Sequence, residues 1–365
     1  MANPAVTVLI DTYNHERYVE QAIVSVLEQD FPPGEMEIVI VDDGSTDSTP
    51  SIVEKFLPRL RYIRKKNGGQ ASAFNAAIPG LRGEIVAFLD GDDWWAKQKL
   101  SAVAAAFEAN PEIAAVGHGF YEVRDTEPPR EMILPQKPCR LDLASIDSAR
   151  LADSGITLLG TSRLSVRRIV LDRMGPLPEE LTFCADTPII ALALALGGAV
   201  ILDRPLCYYR LHARNMCAHD PTDRARLRRD FEITEICLKY IPKRLAEFGI
   251  SAEVSSALLG SIRSRLERSK ARFGDGGRWN VFRTESQRFR THYQHPTAGY
   301  LLFAGLVSAC ALLLPPRRFY ELLDWYSRNN LKLFRNILGR AEPKVPAAFF
   351  QRLSVKQEAT CGRPD

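Results

Sequence analysis

The stretch that decides the fold reads Glu84-Ile-Val-Ala-Phe-Leu-Asp-Gly-Asp-Asp-Trp-Trp95. Its five consecutive apolar residues predict a strand that is buried on both faces of a sheet. Asp90, Asp92 and Asp93 follow at once, and ligands of open α/β sheets bind beyond the carboxyl ends of the strands. Clustered carboxylates repel one another unless a cation lies between them, and hard divalent cations prefer oxygen ligands. The alternative interpretation is an acidic turn that caps a helix directly after it.

The chain before this stretch repeats a strand, a polar turn and a helix. Buried strands are predicted at Val6–Ile10 and Glu37–Val41, and a third at Tyr62–Ile63. Helices are predicted between them, at 18–27, from 45–47 onward, and at 71–78. Hairpin signals do not occur between these elements, so the pattern indicates an α/β domain with a largely parallel sheet.

Three polar blocks in this region resemble the signature of family 2 glycosyltransferases. The blocks are Asp42-Asp-Gly-Ser-Thr-Asp47, Asn67-Gly-Gly69 with Asn75, and Asp90-Gly-Asp-Asp93. The resemblance implies the GT-A fold, a nucleotide-diphospho-sugar transferase fold of the α/β class in which helices flank a Rossmann-like mixed sheet. A nicotinamide enzyme would instead carry G-x-G-x-x-G after the first strand, where this chain has Asp11-Thr-Tyr-Asn14.

The resemblance also implies where the donor, a nucleoside diphosphate sugar, binds. The family holds the uracil and ribose at the end of the second strand, so Asp42 or Asp43 is expected to accept hydrogen bonds from them. The opposite wall of the pocket is expected to consist of Thr12, Tyr13 and Asn14. The other residues expected to bind the donor are Asn67, Gly69, Asn75, Asp90 and Arg210. A divalent cation, Mg²⁺ or Mn²⁺, is expected at Asp90, Asp92 and His212.

A later segment, Leu181–Asp186, stands before an apolar helical stretch at 189–196. The family often has an acidic pair at this place, and its second carboxylate is the catalytic base. Since the first position is Ala185 in this chain, only Asp186 is carried over as the base. The alternative role for Asp186 is a helix N-cap, because Pro188 follows at a favoured early helical position.

The segment Cys207–Asn215 resembles the Tyr-Arg-x-His-x-x-Asn segment that closes the active site in the family. Arg210 is expected to neutralise charge on the leaving diphosphate. His212 is expected to complete the metal shell or to bind phosphate, although a lone histidine is more often structural.

These residue types predict an inverting glycosyl transfer that builds a bacterial cell-surface polysaccharide or glycolipid. A carboxylate near the acceptor hydroxyl can take its proton, which contributes roughly 10²–10⁴-fold to the rate. Three alternatives stay open. A polyprenyl phosphate acceptor would need no strong base. A non-catalytic protein on a decayed fold would fit Ala185 but not the intact Asp90-Gly-Asp92. A sugar nucleotidyltransferase would need a glycine- and basic-rich loop directly after the first strand, and that loop is missing.

The chain of 365 residues exceeds the length of one typical domain. A GT-A domain is predicted at 1–222, with a donor half at about 1–100 and an acceptor half at about 101–222. A loop at 127–138 leads into the acceptor half. A basic helical extension is predicted at 223–340, with a tail at 341–365. Seven cysteines without C-x-x-C spacing favour reduced thiols in a cytosolic protein, and no signal peptide is evident.

The predicted extension has two features. Arg224–Arg290 contains 16 Lys/Arg against 8 Asp/Glu, which indicates a solvated basic helical face, and no nucleic-acid-binding module accompanies it. The uncharged segment 298–314 would be about 26 Å long as a helix, short of a bilayer core of about 30 Å. A buried helix, an interfacial helix and, ranked third, a full span are the alternatives. We expect a cytoplasmic protein in peripheral contact with anionic lipid at the inner face of the membrane.

Overall fold

The computed structural model describes residues 4–124, 127–131, 135, 137–212, 215, 223–274, 276–292 and 298–329. The chain divides into two compact units, Met1–Ala218 with Ile236–Leu259, and His219–Glu235 with Gly260–Asp365. The domain boundary predicted at residue 222 stays a prediction, and the predicted tail at 341–365 lies outside the described residues.

The first unit is built on a ten-stranded mixed sheet in the order β3-β2-β1-β4-β9-β6-β10-β5, with β7 paired to β6 and β8 to β10. The strands are β1 (Val6–Thr12), β2 (Met36–Asp42), β3 (Arg61–Arg64), β4 (Ile85–Asp90), β5 (Trp94–Trp95), β6 (Ala115–Arg124), β7 (Glu127–Glu131), β8 (Cys139–Leu141), β9 (Ser165–Arg167) and β10 (Ala199–Leu211). Strands β1 to β4 are parallel to one another, as are β6 and β10, whereas β5, β7, β8 and β9 pair antiparallel to their neighbours. The α/β class is therefore confirmed, with a mixed rather than largely parallel sheet.

The first unit also contains helices. They are α1 (Val19–Leu27), α2 (Thr49–Glu54), α3 (Gln70–Ala77), α4 (Lys99–Ala109), α5 (Ile146–Gly155), α6 (Arg168–Met174), α7 (Asp186–Leu196) and α9 (Ala252–Leu258); α8 (Arg224–Glu247) runs through both units. The main apolar core joins β1, β2 and β4 to the buried residues of α1 and α4.

Two local predictions were wrong, and one alternative interpretation is excluded. Helix α2 begins at Thr49 rather than at 45–47, because Ser45 and Asp47 bond to the turn after β1: Ser45 Oγ accepts from Asn14 N (2.9 Å), and Asp47 Oδ2 accepts from Glu16 N (3.1 Å). Residues 127–131 form strand β7 and not a loop, because they pair with β6. The acidic turn does not cap a helix directly after it, since the next two residues form β5 and pair with β10.

A lysine lies fully buried at the start of α4. The Nζ atom of Lys99 donates to Ser165 Oγ (3.1 Å) and lies 3.5 Å from the centroid of the Trp95 ring. No carboxylate among the described residues lies within ion-pair distance of it. Burial therefore holds the pKa of Lys99 well below its ordinary value of 10.5.

We expect Lys99→Met to raise the melting temperature at pH 7. The unfolded chain binds a proton at Lys99 below pH 10.5, whereas the folded chain binds it only at a lower pH, so wild-type stability falls as the pH drops from 10.5 toward the lowered pKa of the folded chain. Methionine has no charge to lose on burial, so it removes this unfavourable contribution to the free energy of folding. A gain of 1 kcal/mol corresponds to about 2–4 °C, and we expect at least about 2 °C, with the difference shrinking as the pH approaches 10.5.

Calorimetry of wild type, Lys99→Met and the exposed control Lys97→Met measures the effect. A lower melting temperature for Lys99→Met alone would show that the hydrogen bond to Ser165 outweighs the burial cost.

The second unit contains helices α10 (Gly260–Phe273), α11 (Arg278–His292), α12 (Ala298–Leu313) and α13 (Pro316–Asn329). They share a small apolar cluster made by Ala271, Val281, Val307, Ala311, Phe319 and Tyr320. The Tyr320 hydroxyl donates to Glu285 Oε1 (2.8 Å), which fixes the register between α13 and α11. Within the described ranges, no helix is both long and apolar enough to cross a membrane.

Candidate active site

The strand register brings the acidic ends of three strands together. Asp11 of β1 lies beside Asp90 of β4 in a parallel pair, and Thr12 lies beside Asp42 at the end of β2. Gly91 lets the next turn pass close to β1, because a Cβ at this position would lie 2.6 Å from Thr12 Oγ1. The predicted position of the site, at the carboxyl edge of the parallel strands, follows from this register.

The carboxylates at this edge are poorly compensated. Burial, together with the charges of Asp92 and Asp186, raises the pKa of Asp90 to about 8. Burial and the charges of Asp90 and Asp92 likewise raise the pKa of Asp11 and of Asp93. One buried oxygen of each of the latter two, Asp11 Oδ1 and Asp93 Oδ2, has no hydrogen-bond partner among the described residues. The cluster thus has too few positive partners for the negative charge that it would carry when ionised.

This charge fits a divalent cation. In the described part of the chain no three His, Cys, Asp or Glu side chains converge to enclose a metal ion by themselves. Mg²⁺ usually takes only one or two carboxylates and completes its shell with water and substrate phosphates. The acidic edge therefore has the chemistry for a cation that arrives with, or is completed by, a diphosphate.

Asp92 has the most contacts within the cluster. Its Oδ2 lies 3.0 Å from His212 Nε2, 3.9 Å from His15 Nε2 and 3.3 Å from Asn215 Nδ2. Although burial disfavours the charged form, the hydrogen bond from His212 and the charges of both histidines lower the pKa of Asp92. The ring of His212 stacks on Tyr18 with 4.9 Å between centroids. The structure therefore brings together two of the predicted metal ligands, Asp92 and His212.

Arg210 is held in place from several sides. Its guanidinium carbon lies 4.6 Å from the centroid of Tyr18 and 4.5 Å from that of Trp94. Its Nε donates to the backbone oxygen of Asp92 (3.0 Å), and one Nη donates to Gln21 Oε1 (2.5 Å). The predicted phosphate-binding arginine is thus fixed at the acidic turn.

The two aspartates after β2 are already occupied by donors from the protein. Asp42 is fully buried and accepts from Ser45 N (2.7 Å) and from the Tyr62 hydroxyl (2.7 Å). Asp43 accepts from Lys65 Nζ (2.8 Å) and from the backbone N–H groups of the Asn-Gly-Gly block, with Gly69 N at 2.6 Å. Both carboxylates therefore shape the predicted nucleotide pocket, and their contact with the base and ribose stays a prediction.

The opposite wall is closely linked to this turn. Asn14 has a positive φ of 56° and its Oδ1 accepts from Thr46 N (2.8 Å), while Tyr13 is 42% exposed and Thr12 is buried. These contacts hold the two sides of the predicted pocket at a fixed distance from each other.

Two residues of the second polar block have different roles. Gly69 has a φ of +86°, and a Cβ there would lie 2.5 Å from Thr182 Cα, so the position requires glycine. The Asn75 side chain bonds at both ends to Leu177, with Nδ2 to O at 2.8 Å and Oδ1 to N at 2.9 Å. Asn75 therefore anchors the segment before Asp186, whereas Asn67 is exposed.

Asp186 is the first residue of α7. Its Oδ2 accepts from Thr161 N (2.9 Å) and from Thr161 Oγ1 (3.1 Å), and Ala185 occupies the N-cap position without a capping side chain. The carboxylate thus contacts Thr161 and does not serve as the N-cap. Cys184 has a positive φ of 56°, which is unusual for a residue with a Cβ and marks a constrained turn before the carboxylate.

Three further residues belong to the site and were not predicted from the sequence. Gln70 donates through Nε2 to Asp90 Oδ1 (3.1 Å) and accepts through Oε1 from Ala185 N (3.0 Å). Ser162 Oγ donates to Asp90 Oδ2 (3.2 Å), and Thr161 holds Asp186. Only the place of Gln70, directly after the Asn-Gly-Gly block, gave a signal in the sequence. Thr161 and Ser162 have no recognisable sequence motif, and only the fold places them next to Asp186 and Asp90.

Comparison with known proteins gives one consistent result. The profile described as Glycosyl transferase family 2 matches residues 7–158. A relative from Nostoc sp., described as an uncharacterized glycosyltransferase, is 31% identical over 284 residues, which are 76% of this chain and 84% of the relative.

Solved structures resemble the chain along most of its length. The crystal structure of Staphylococcus aureus TarS 1–349 in complex with UDP-GlcNAc has a TM-score of 0.54 at 21% identity and covers 90% of this chain and 92% of that chain. A mannosyltransferase from Pyrobaculum calidifontis in complex with GDP-Man and Mn²⁺ has a TM-score of 0.50 at 19% identity and covers 99% and 89%. At these identities the likeness shows the fold, and the predicted GT-A fold is confirmed.

Proposed function

The chain belongs to glycosyltransferase family 2, and we propose that it is a metal-dependent inverting enzyme with a nucleoside diphosphate sugar as donor. We propose a UDP-sugar as the donor and a glycan or a lipid-linked molecule as the acceptor, in the synthesis of a cell-surface polysaccharide. The observation that carries the proposal is the half-buried, undercompensated acidic edge at Asp90 and Asp92, with Asp186 close enough to raise the pKa of Asp90.

The donor side of the proposal rests on the charges at the strand ends. Complexes of similar structures with UDP-GlcNAc, and with GDP-Man and Mn²⁺, support a sugar nucleotide and a divalent cation, either Mg²⁺ or Mn²⁺. Asp92 and Asp90 would hold that cation, with His212 beside Asp92. When bound, the ion would supply Lewis-acid stabilisation of the leaving diphosphate. Arg210, clamped between two aromatic rings, adds a fixed positive charge at the same turn.

The acceptor side of the proposal rests on Asp186. Two hydrogen bonds from Thr161 orient the carboxylate through Oδ2, and among the described residues Oδ1 has one long contact, from Thr187 Oγ1 at 3.4 Å. The proposed role of Asp186 is to take the proton of the acceptor hydroxyl as that oxygen attacks the anomeric carbon. Attack on the side opposite the diphosphate inverts the configuration at that carbon.

The proposed metal ligand Asp90 and the proposed base Asp186 belong to one hydrogen-bonded frame. Gln70 bonds to Asp90, to Thr161 Oγ1 (3.3 Å) and to the backbone of Ala185. Such a frame restricts the approach of the two reactants, and positioning is a large share of the catalysis of bimolecular reactions.

We further propose that the protein works in the cytoplasm at the inner face of the cell membrane, in peripheral contact with anionic lipid. The excess of basic residues at 224–290 supports this location, because basic segments are attracted to anionic surfaces. Nucleic acid is not among the proposed partners.

A donor screen tests the proposed function. Purified protein is titrated with UDP-, GDP- and dTDP-sugars in the presence of Mn²⁺ or Mg²⁺, by calorimetry for binding and by release of the nucleoside diphosphate for slow hydrolysis. We expect one nucleotide class to bind and hydrolyse, and to do so only with the metal. A protein that binds a sugar nucleotide but releases no diphosphate with any acceptor would instead be a binding protein on this fold.

A further inference from the structure

Helix α12 presents an apolar stripe to the outside of the second unit. Its exposed positions are Leu301, Gly305, Leu306, Ala309, Leu312 and Leu313, and all six side chains are uncharged. The four leucines are between 39% and 74% exposed. At 100° per residue these positions fall within one arc of about 140° of the helix surface. They therefore form a continuous stripe, which we call the leucine stripe.

The opposite side of α12 is the packing side. Val307 and Ala311 are buried and pack with Val281 of α11 and with Phe319 and Tyr320 of α13. The helix is thus apolar on its packing side and on its outer side. Soluble surface helices normally carry polar residues on the outer side, and a helix that is apolar all round is buried in protein or lipid.

Basic and aromatic groups lie at one end of this stripe. Trp279 is 60% exposed at the start of α11, two residues before Val281, which packs against the C-terminal half of α12. Exposed Arg278 precedes it, and exposed Arg317 and Arg318 follow the last turn of α12. Arg317 forms an ion pair with Glu321, with 2.9 Å between Nε and Oε1. Tryptophan and arginine beside leucines are typical of the interface between lipid chains and phosphate headgroups.

The length of α12 decides how it can meet a membrane. Sixteen residues of helix span about 24 Å, less than the hydrocarbon core of about 30 Å. A helix of this length with one packed side can insert only its outer side, parallel to the membrane plane.

We propose that the leucine stripe is a lipid-docking surface, which inserts flat into an anionic membrane while Arg278, Arg317 and Arg318 contact phosphate headgroups. This deepens the proposed membrane location by naming the surface, and it rests on that part of the proposed function alone. An acceptor held in the same membrane would then reach the enzyme by diffusion within the membrane plane.

Vesicle binding tests the proposal with full-length protein. Wild type is sedimented with phosphatidylglycerol-containing vesicles and with neutral phosphatidylcholine vesicles, at low and high salt. We expect binding to the anionic vesicles, weakened by salt. Leu306→Asn with Leu313→Asn should lower the partition coefficient at least about tenfold, since two exposed leucines no longer leave water. Arg317→Gln with Arg318→Gln should lower it by about fivefold for each arginine at low salt only.

The matched control is Ile146→Asn with Ile169→Asn, two residues of the first unit that are 40% and 47% exposed. The control should bind vesicles as wild type does. The fluorescence of Trp279 gives a second readout: vesicles should shift the wild-type emission to shorter wavelength, and Trp279→Phe should reduce that shift. Donor binding should be unchanged in all variants, so a failed donor screen and a failed docking surface give different results.

Three results would overturn the proposal. The first is that wild-type protein binds neither kind of vesicle. The second is a leucine-stripe variant that binds as wild type does. The third is a stripe variant that changes the oligomeric mass in light scattering without changing lipid binding, which would make the stripe an interface between copies of the chain.

Discussion

Replacing Asp92 by alanine is expected to abolish sugar transfer, with a loss of at least about 10³-fold in kcat. The proposed cation would lose the carboxylate that is kept most firmly ionised in the cluster, because contacts from His212 and His15 lower the pKa of Asp92. A metal ion that stabilises a leaving phosphate contributes several kcal/mol to the transition state. Transfer is measured as release of nucleoside diphosphate with saturating Mn²⁺ or Mg²⁺.

The fold should survive this change. Asp92 raises the pKa of Asp90, Asp11 and Asp93 by repulsion, so its removal relieves like-charge strain at the strand ends. We expect a melting temperature no lower than that of wild type. Asp172→Ala is the control for general effects of charge, because it removes an exposed carboxylate that is eighty residues after Asp92 in the sequence. Full turnover of Asp92→Ala, or of wild type in excess chelator, would show that no metal takes part.

Replacing Asp186 by asparagine should lower kcat by roughly 10²-fold or more and leave donor affinity within a few-fold of wild type. Asparagine keeps the size of the side chain and an oxygen for the two hydrogen bonds from Thr161, so the loop keeps its position. It cannot accept the proton of an acceptor hydroxyl. Rates at saturating donor, combined with donor titration by calorimetry, separate the two quantities.

Thr161→Val serves as the comparison for Asp186→Asn. Valine removes the 3.1 Å hydroxyl contact but keeps the backbone N–H bond at 2.9 Å, so the proposed base is loosened and not deleted. We expect a loss of only several-fold. If Asp186→Asn loses donor binding and keeps its rate, the residue is structural. If it keeps near-full rate and donor binding, an acceptor that needs no base, such as a polyprenyl phosphate, is favoured.

The parts of the fold that the sequence predicted are those with a local cause. Strands β1, β2 and β4 are continuous apolar runs because they are buried on both faces of the sheet, and such runs can be recognised one at a time. Helix α7 follows a constrained turn and is almost wholly apolar, which also has a local signature.

The missed elements depend on partners that are distant in the chain. Strand β5 has only two residues and exists because Trp94 and Trp95 pair with β10, more than a hundred residues later. Strand β9 is three residues long and pairs with β4 and β6. Neither strand has a recognisable sequence pattern, because two or three residues are too few to show the alternation of apolar and polar residues that identifies a strand.

The site divides in the same way. Aspartates in motif order could be found from the sequence, since their types and spacing resemble those of the family. Gln70 and Ser162 could not be found, since an amide and a hydroxyl occur throughout any surface. They act on Asp90 only because β4 ends beside α3 and the turn before β9.

The amide of Gln70 has a consequence for how this enzyme can change over evolutionary time. One end of the amide serves Asp90, and the other serves the backbone just before Asp186. A replacement that donated to Asp90 but offered no acceptor at the other end would release the backbone just before Asp186. With the proposed roles of Asp90 and Asp186, we expect a substitution at position 70 to change the metal site and the loop of the base together, so that the two evolve jointly and not one at a time.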